Sequence, residues 1–233
     1  MRVQYIDHSC FFLESDSCCL LFDYFRGQVP PLPAGKPLYV FASHRHGDHF
    51  SPEIFHLNAE AWILGRDFSL SPGIRVKYGL DEIRFARCHR MRTDEELTIG
   101  PLRILALRST DEGAAFRIHV DSRVIYHAGD LNQWVWREDA HYDRQMTTDY
   151  LREIEKLRGM AIDLAFLPVD PRQGEDFYLG ADSFIRMHRP KHVFPMHLWG
   201  DYDAVRRFRD HACAAVYRNS IIEIHGEGDC FEV

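Results

Sequence analysis

The sequence lacks the features that would assign it to a membrane, to export or to nucleic acid. No apolar run approaches the ~18 residues of a membrane-spanning helix. The opening segment MRVQYIDHSCFFLES lacks the charged, apolar and small-residue regions of a signal peptide. The formal net charge of −7 disfavours non-specific binding to nucleic acid, which usually requires a basic surface. We therefore expect a cytoplasmic protein with a small-molecule substrate and without membrane or nucleic-acid partners.

Other kinds of chemistry are also missing from the sequence. The six cysteines show neither CxxC spacing nor a dense framework, which predicts reduced and mostly buried thiols. No GxSxG motif is present, and this disfavours a serine hydrolase. The 233 residues contain no repeat, low-complexity tract or linker. They therefore predict one domain, 1–233, with a substantial core.

Short apolar runs predict a chain rich in strands, with helices in each half. We predict helices beginning at Ser51-Pro52 and spanning 147–158, 182–188 and 202–215. We predict strands at 3–6, 10–13, 18–22, 38–42, 97–99, 102–107, 114–120, 123–126, 162–167, 192–195, 221–224 and 230–233. This order favours two packed sheets whose outer faces are covered by helices.

The strongest functional signal is the motif His44-x-His46-x-Asp48-His49, which directly follows the apolar run 38–42. Four side chains that can bind a metal lie within one short loop, and the buried strand before them would hold that loop in place. Imidazole and carboxylate groups suit zinc, manganese, iron or nickel. A solvated polar turn is the alternative, but such turns favour Gly, Asn, Ser and Pro over histidine.

Two further metal-capable side chains occupy the same kind of position. Asp130 follows the run 123–126, and His197 follows the run 192–195. Taken singly, the aspartate could cap a loop and the histidine could fill a core. Three apolar strands that each end in a metal-capable side chain together predict a single metal site.

These motifs, with the opening DHSCFFLES and the segments GDLN and PMH, resemble those of the metallo-β-lactamase superfamily over nearly the whole chain. The resemblance is strongest to its branch of metal-dependent hydrolases similar to L-ascorbate-6-phosphate lactonase. It implies an α/β (α+β) fold, a four-layer αββα sandwich in which helices cover two mixed sheets. It also implies two metal positions bridged by Asp130, the first held by His44 and His46 and the second by Asp48, His49 and His197.

The chain departs from this family at one point. Family members usually carry another histidine before the GD motif, but the corresponding stretch LRSTDEG, 107–113, contains none. Either Asp111 or Ser109 supplies an oxygen ligand to the first position, or His8 reaches the metal, or that position is weak or empty. As structural alternatives, His8 would be a buried hydrogen-bonded histidine and Asp111 would cap a turn.

The ligand set predicts a metal-dependent hydrolase with one or two divalent ions, of which zinc is expected first and manganese second. Since a divalent metal lowers the pKa of bound water toward ~7, a metal-bound hydroxide would attack an ester, lactone or phosphoester of a small anionic substrate. Asp48 is the predicted catalytic carboxylate, orienting the water or taking its proton. The alternative is a catalytically silent metal-binding or ligand-sensing protein of the same fold.

Several other side chains have two open interpretations. Arg172 would pair with an anionic substrate or form a surface salt bridge. Trp134, Trp136 and Trp199 would line a pocket or fill the core. The remaining histidines are assigned structural roles, and His127 is the least secure of these because it lies close to Asp130 in the sequence.

Overall fold

The computed structural model describes residues 1–233 and arranges the chain as two β-sheets with flanking helices. The strands are β1 (Arg2–Asp7), β2 (Cys10–Glu14), β3 (Cys19–Phe22), β4 (Leu38–Ala42), β5 (Ala61–Leu64), β6 (Cys88–Arg90), β7 (Glu96–Ile99), β8 (Leu102–Arg108), β9 (Ala114–Val120), β10 (Arg123–His127), β11 (Leu164–Pro168), β12 (His192–Met196) and β13 (Cys230–Glu232). The α-helices are α1 (Pro72–Lys77), α2 (Glu82–Ala86), α3 (Ala140–Glu155), α4 (Leu179–His188) and α5 (Asp203–Asp210). Short 3₁₀ turns span Pro52–His56, Pro171–Asp176, Ala212–Val216 and Arg218–Ser220.

Both sheets are mixed, as predicted. The first has the strand order β13-β1-β2-β3-β4-β5-β6, antiparallel from β13 to β3 and parallel from β3 to β6. The second has the order β12-β11-β10-β9-β8-β7, in which the first three strands are parallel and the rest antiparallel. The predicted sandwich of two mixed sheets with helices is therefore confirmed.

The alternation of side chains along each strand separates the layers. In β2, Phe11 points into the core between the sheets, where its ring centroid lies 4.6 Å from that of Phe166. The next residue, Phe12, joins a second apolar cluster that includes Phe55 of the first 3₁₀ turn. On the second sheet, Tyr126 stacks on Phe184 of α4 at 4.4 Å. The first sheet therefore has apolar side chains on both faces, and α4 covers the outer face of the second sheet at β10.

The structure also differs from the predicted elements. The stretch 221–224 is not a strand, because only Ile221 bridges to Val193 before the chain leaves the sheet edge. Helix α3 starts seven residues before the predicted 147, since the Asp139 side chain caps its first backbone N–H groups. The last predicted helix stops at Asp210 and continues as a 3₁₀ turn. Strands β5 and β6 and helices α1 and α2 were not predicted.

No α-helix combines the length and the apolar character needed to cross a bilayer.

Candidate metal centre

The predicted ligands His44, His46, His49, Asp130 and His197 lie together at the tips of β4, β10 and β12. Asp130 is in the middle: its Oδ1 lies 3.2 Å from His49 Nε2 and 3.3 Å from His197 Nε2. Its Oδ2 lies 3.4 Å from His44 Nε2. His44 Nε2 in turn lies 3.0 Å from His46 Nδ1. The Asp130 carboxylate thus faces two groups of imidazoles, one on each oxygen.

Asp48 and His8 complete one of these groups. Asp48 Oδ2 lies 3.4 Å from His8 Nε2 and 4.0 Å from the Nε2 atoms of both His49 and His197. The ligand atoms of these four residues all lie within 4.8 Å of one another, as do those of a separate group made of His44, His46 and Asp130. We call them the four-residue group and the three-residue group.

The position of His8 corrects one expectation from the sequence. His8 belongs to the four-residue group, so it does not supply the histidine missing beside His44 and His46. His8 lies in the turn between β1 and β2, at φ +51°. Its carbonyl oxygen accepts a hydrogen bond from the backbone N–H of His197 at 3.1 Å. This bond holds the turn against the end of β12.

Asp111 lies where the sequence lacked its histidine. Its Oδ2 is 3.9 Å from His46 Nδ1, and both side chains are about half exposed. Ser109 Oγ accepts a hydrogen bond from the Asp111 backbone N–H at 3.1 Å and so caps the turn that presents Asp111. Of the two oxygen donors considered for the first position, Asp111 is therefore the one beside it, and Ser109 supports the loop.

Four ligand atoms in this region are buried and have no hydrogen-bond partner. They are the Nε2 atoms of His8, His49 and His197, and Oδ1 of Asp130. A buried polar atom without a partner is costly and rare in folded proteins. Asp130 Oδ1 lies within 3.3 Å of the Nε2 atoms of His49 and His197, and His8 Nε2 belongs to the same four-residue group as those two atoms. A divalent cation bound in this region would give these buried atoms a partner. The donor set therefore fits a metal.

Two side chains that were not predicted orient the ligand rings near β4. Asp23 Oδ2 lies 2.8 Å from His49 Nδ1 and accepts a hydrogen bond from Ser43 Oγ at 2.7 Å. Ser43 Oγ also lies 2.9 Å from His44 Nδ1. Such contacts fix the ring orientation and leave Nε2 for a metal. Asp23 directly follows the predicted strand 18–22. A metal-capable side chain directly after an apolar strand was the pattern that identified Asp130, and the same pattern could have identified Asp23.

A third orienting residue is the fully buried Asp170. Its Oδ2 lies 2.8 Å from His197 Nδ1 and accepts a hydrogen bond from Trp199 Nε1 at 3.3 Å. Asp170 also binds the Arg172 guanidinium, which stacks on the Trp199 ring at 4.2 Å. The salt bridge considered from the sequence is therefore present: the half-exposed Arg172 is held in an ion pair, and its partner Asp170 is buried.

Burial and opposing charges set the protonation of the metal-free site. Burial lowers the pKa of His8 and of His44 to about 4, so both imidazoles are neutral at pH 7 with a lone pair available. Burial alone would raise the pKa of Asp130, but the facing His49 and His197 hold it well below its usual range. Burial opposes a charge on His49, yet Asp130 and Asp23 raise its pKa well above the usual value. A metal ion can replace that proton.

A cavity of about 220 Å³ opens onto the centre. Its lining residues are Asp111, Asp130, Trp134, Trp136, Tyr142, Arg172 and His197. The rings of Trp134 and Trp136 lie parallel at 5.9 Å, and Trp134 Nε1 donates to the Asp130 carbonyl at 3.0 Å. Trp199 is half exposed beside the ring of His8, at 4.7 Å. Trp134 and Trp136 therefore line the cavity, and Trp199 packs beside the ligand His8.

His127 does not face this cavity. It is fully buried, its Nε2 lies 3.1 Å from the Ser9 carbonyl oxygen, and its Nδ1 accepts from the Gly129 backbone N–H. These contacts agree with the structural role assigned to it.

Two glycines allow the loops of the site to approach β4. Gly113 and Gly129 have φ values of +71° and +50°, and a Cβ on either would fall within 2.6 Å of an atom of Ser43. A Cβ on Gly113 would lie only 1.9 Å from the Ser43 carbonyl oxygen. Because only glycine fits this close approach, these positions control how Asp111 and Asp130 reach the histidine motif.

The sequence model of the beta-lactamase superfamily domain matches residues 2–197. The chain belongs to the metallo-β-lactamase superfamily. It is 43% identical over 200 residues to a UPF0173 metal-dependent hydrolase of Methylacidiphilum infernorum, covering 80% of this chain and 78% of that one. It is 26% identical over 218 residues to another from Desulforamulus reducens, with 84% of each chain covered.

A solved structure supports the fold. Igni18, a metallo hydrolase from the archaeon Ignicoccus hospitalis, superposes with a TM-score of 0.66 at 17% identity, covering 100% of this chain and 98% of that one. Together, the comparisons confirm the predicted class, a metal-dependent hydrolase of the metallo-β-lactamase superfamily. The narrower likeness to lactonases stays a prediction.

Proposed function

We propose that this protein hydrolyses an ester, lactone or phosphoester of a small anionic molecule by means of two divalent ions. The four-residue group, His8, Asp48, His49 and His197, would hold one ion. The three-residue group would hold the other, with Asp111 as an additional oxygen ligand. Asp130 would contribute one carboxylate oxygen to each. The observation that carries this proposal is the convergence of four buried ligand atoms that have no hydrogen-bond partner.

The two groups differ in chemistry, and the difference bears on metal identity. The four-residue group supplies three imidazoles and is mostly buried, which suits zinc. The three-residue group has two imidazoles and, with Asp111, two carboxylates, and it is more exposed. Oxygen-rich sites accept manganese more readily. We therefore assign tightly held zinc to the four-residue group and an exchangeable ion, zinc or manganese, to the other.

Bound divalent ions supply Lewis acidity, which makes water available as a nucleophile near neutral pH and stabilises negative charge on the substrate. Asp48 stays ionised near neutral pH because, although burial alone would raise its pKa, its contacts with His8 and His49 hold that pKa well below its usual range. Its carboxylate is therefore suited to accept a hydrogen bond from water. Its side chain is 27% exposed, so solvent reaches it. Asp48 would orient the attacking water.

The cavity favours a small substrate with a negative charge. Its volume of about 220 Å³ suits a compact molecule, and the rings of Trp134 and Trp136 offer flat apolar contact. Arg172 lines this cavity and places a guanidinium, fixed by Asp170, at its edge. A preoriented guanidinium binds planar oxyanions well. We assign Arg172 to the anionic part of the substrate.

The decisive experiment combines metal analysis with turnover. Protein purified with zinc and manganese available should contain about two equivalents of metal and should hydrolyse members of a panel of lactones, esters and phosphodiesters. Asp130→Asn should lose both bound metal and activity, since Asp130 faces both groups. Asp210→Asn, a change at an exposed aspartate at the end of α5, is the matched control and should keep both.

Two results would count against the proposal. If Asp130→Asn kept both its bound metal and its hydrolase activity, this site would not be the catalytic centre. Full metal content without hydrolysis across the panel would instead favour the ligand-sensing alternative.

A further inference from the structure

A second polar cavity lies on the far side of the second sheet, away from the metal centre. It has a volume of about 240 Å³ and is lined by Glu96, Arg103, Ile104, Leu105, Arg117, His119 and Met160. Along β9, Phe116 points between the sheets and packs on Phe41. Its neighbour Arg117 therefore projects from the outer face. The cavity is thus separated from the metal ligands by the thickness of the sheet.

The buried side chains of this cavity lack partners. Arg117 is only 8% exposed, yet its Nε has no hydrogen-bond partner, and the same is true of the buried Nε2 of His119. A buried guanidinium without a counterion carries a large desolvation cost. Two such atoms in one cavity indicate a place where a ligand completes the hydrogen bonds.

The strand register places a third basic side chain, Arg103, beside Arg117 and His119. Arg103 of β8 pairs directly with His119 of β9, and Leu105 pairs with Arg117. Arg103 is therefore a diagonal neighbour of Arg117 on one face, within reach for a long side chain. Both guanidiniums and the imidazole line the cavity.

Acidic groups do not balance this charge. Glu96, an exposed residue of β7, is the carboxylate that lines the cavity. Asp163, which also acts on His119, is already bound to Lys191 and to the backbone N–H of Val124. Two arginines against one exposed glutamate leave the cavity positively charged.

We propose that this cavity is a binding site for a small tetrahedral oxyanion, either phosphate or the phosphate group of a metabolite, held by Arg117, Arg103 and His119. Guanidinium groups bind phosphate oxygens in pairs of parallel hydrogen bonds, which satisfies the forked geometry of arginine. The buried Arg117 and the exposed Arg103 would contact the anion from two neighbouring strands.

Thermal unfolding of the metal-loaded protein tests the site. The wild type should show a saturable rise in Tm with inorganic phosphate, measured against sodium chloride at equal ionic strength. Arg117→Met should lose this rise, keep its hydrolase activity and be at least as stable in chloride, since it removes an unpaired buried charge. Arg103→Gln, at an exposed position, should weaken the apparent affinity for phosphate by about tenfold.

Two controls make the result specific. Asp130→Asn, which is expected to bind no metal, should still show the rise in Tm with phosphate. Loss of that rise would mean that phosphate acts through the metal centre. Methylphosphonate distinguishes free phosphate from the phosphate group of a larger molecule, because one of its phosphate oxygens is replaced by a methyl group. It should raise Tm if the site takes the phosphate group of a larger molecule, and it should not raise Tm if the site takes free phosphate. An undiminished response in both Arg117→Met and Arg103→Gln, or its loss in Asp130→Asn, would overturn the proposal.

Discussion

His8 Nε2 lies 3.4 Å from Asp48 Oδ2, a contact that joins the first turn of the chain to the histidine motif after β4. This pair brings a third imidazole into the four-residue group, which otherwise has only His49 and His197. Because all three Nε2 atoms are buried without partners, we assign His8 to metal binding rather than to packing alone.

Replacement of His8 by asparagine tests that assignment. Asparagine tolerates the positive φ at this position, so His8→Asn removes the imidazole with little backbone strain. We expect metal affinity to fall by at least about tenfold, measured by competition with a chromogenic chelator. His141→Asn, at an exposed histidine of α3, is the control. Equal affinity in the wild type and His8→Asn would assign His8 a purely structural role.

Asp111 is predicted to hold the more exchangeable ion. Asp111→Asn should reduce the metal retained after dialysis from about two equivalents to one, with little effect on stability because the side chain is half exposed. Asp111→His would place an imidazole at this position and should retain both ions. Glu112→Gln changes the charge of the neighbouring residue and should leave the metal content unaltered. The account of this position is wrong if Asp111→Asn keeps both equivalents.

Asp170 is predicted to stabilise the fold as well as the orientation of His197. Asp170→Asn should lower the free energy of unfolding by about 1.5–3 kcal/mol, the range for hydrogen bonds to charged groups, in denaturant titrations of the metal-free protein. Burial would raise its pKa, but His197 and Arg172 hold the pKa of Asp170 at about 2.

The pH dependence of the stability lost in Asp170→Asn follows from the direction of the pKa shift of Asp170. A depressed carboxyl pKa contributes stability that is fully present above the unfolded value of about 3.9 and is lost as the pH falls through about 2. The difference between wild type and Asp170→Asn should therefore be the same at about pH 7 and pH 5. A difference that vanished by pH 5 would show that another group is responsible.

Alanine substitutions at two glycines distinguish the cost of a steric clash from the cost of backbone strain. Gly113→Ala would place a Cβ 1.9 Å from the Ser43 carbonyl oxygen, whereas Gly79→Ala, also at positive φ, would meet nothing within 4 Å. We expect Gly79→Ala to cost about 1–2 kcal/mol from strain alone. Gly113→Ala should cost clearly more and should also weaken metal binding. Equal losses of unfolding free energy in the two variants would contradict the close approach at Ser43.

The sequence predicted the parts of this site that lie at the ends of apolar strands. His44, Asp130 and His197 each follow such a run, so their convergence could be expected from strand patterning and the resemblance. The group to which His8 belongs could not be predicted, because it depends on a backbone hydrogen bond from His197 to a turn far away in the sequence. The same limit applies to Asp170, because its partners His197 and Trp199 lie in another loop.

The strands, like the site residues, divide into those that a local sequence pattern predicts and those that it does not. Long alternating or buried strands such as β4 and β9 were predicted with their bounds, since the pattern is local. Strand β6 was missed because only Cys88 of its three residues is buried, so its pairing with β5 leaves little periodic signal. The stretch 221–224 was overpredicted, since Ile221 and Ile224 fill the core without forming a ladder.

Anomalous diffraction from crystals grown with zinc tests the central claim most directly. We predict a strong peak enclosed by His8, Asp48, His49 and His197, and a weaker or exchangeable peak beside His44, His46 and Asp111, with Asp130 between the two. A peak in neither group, in protein that is folded and saturated with zinc, would contradict this account.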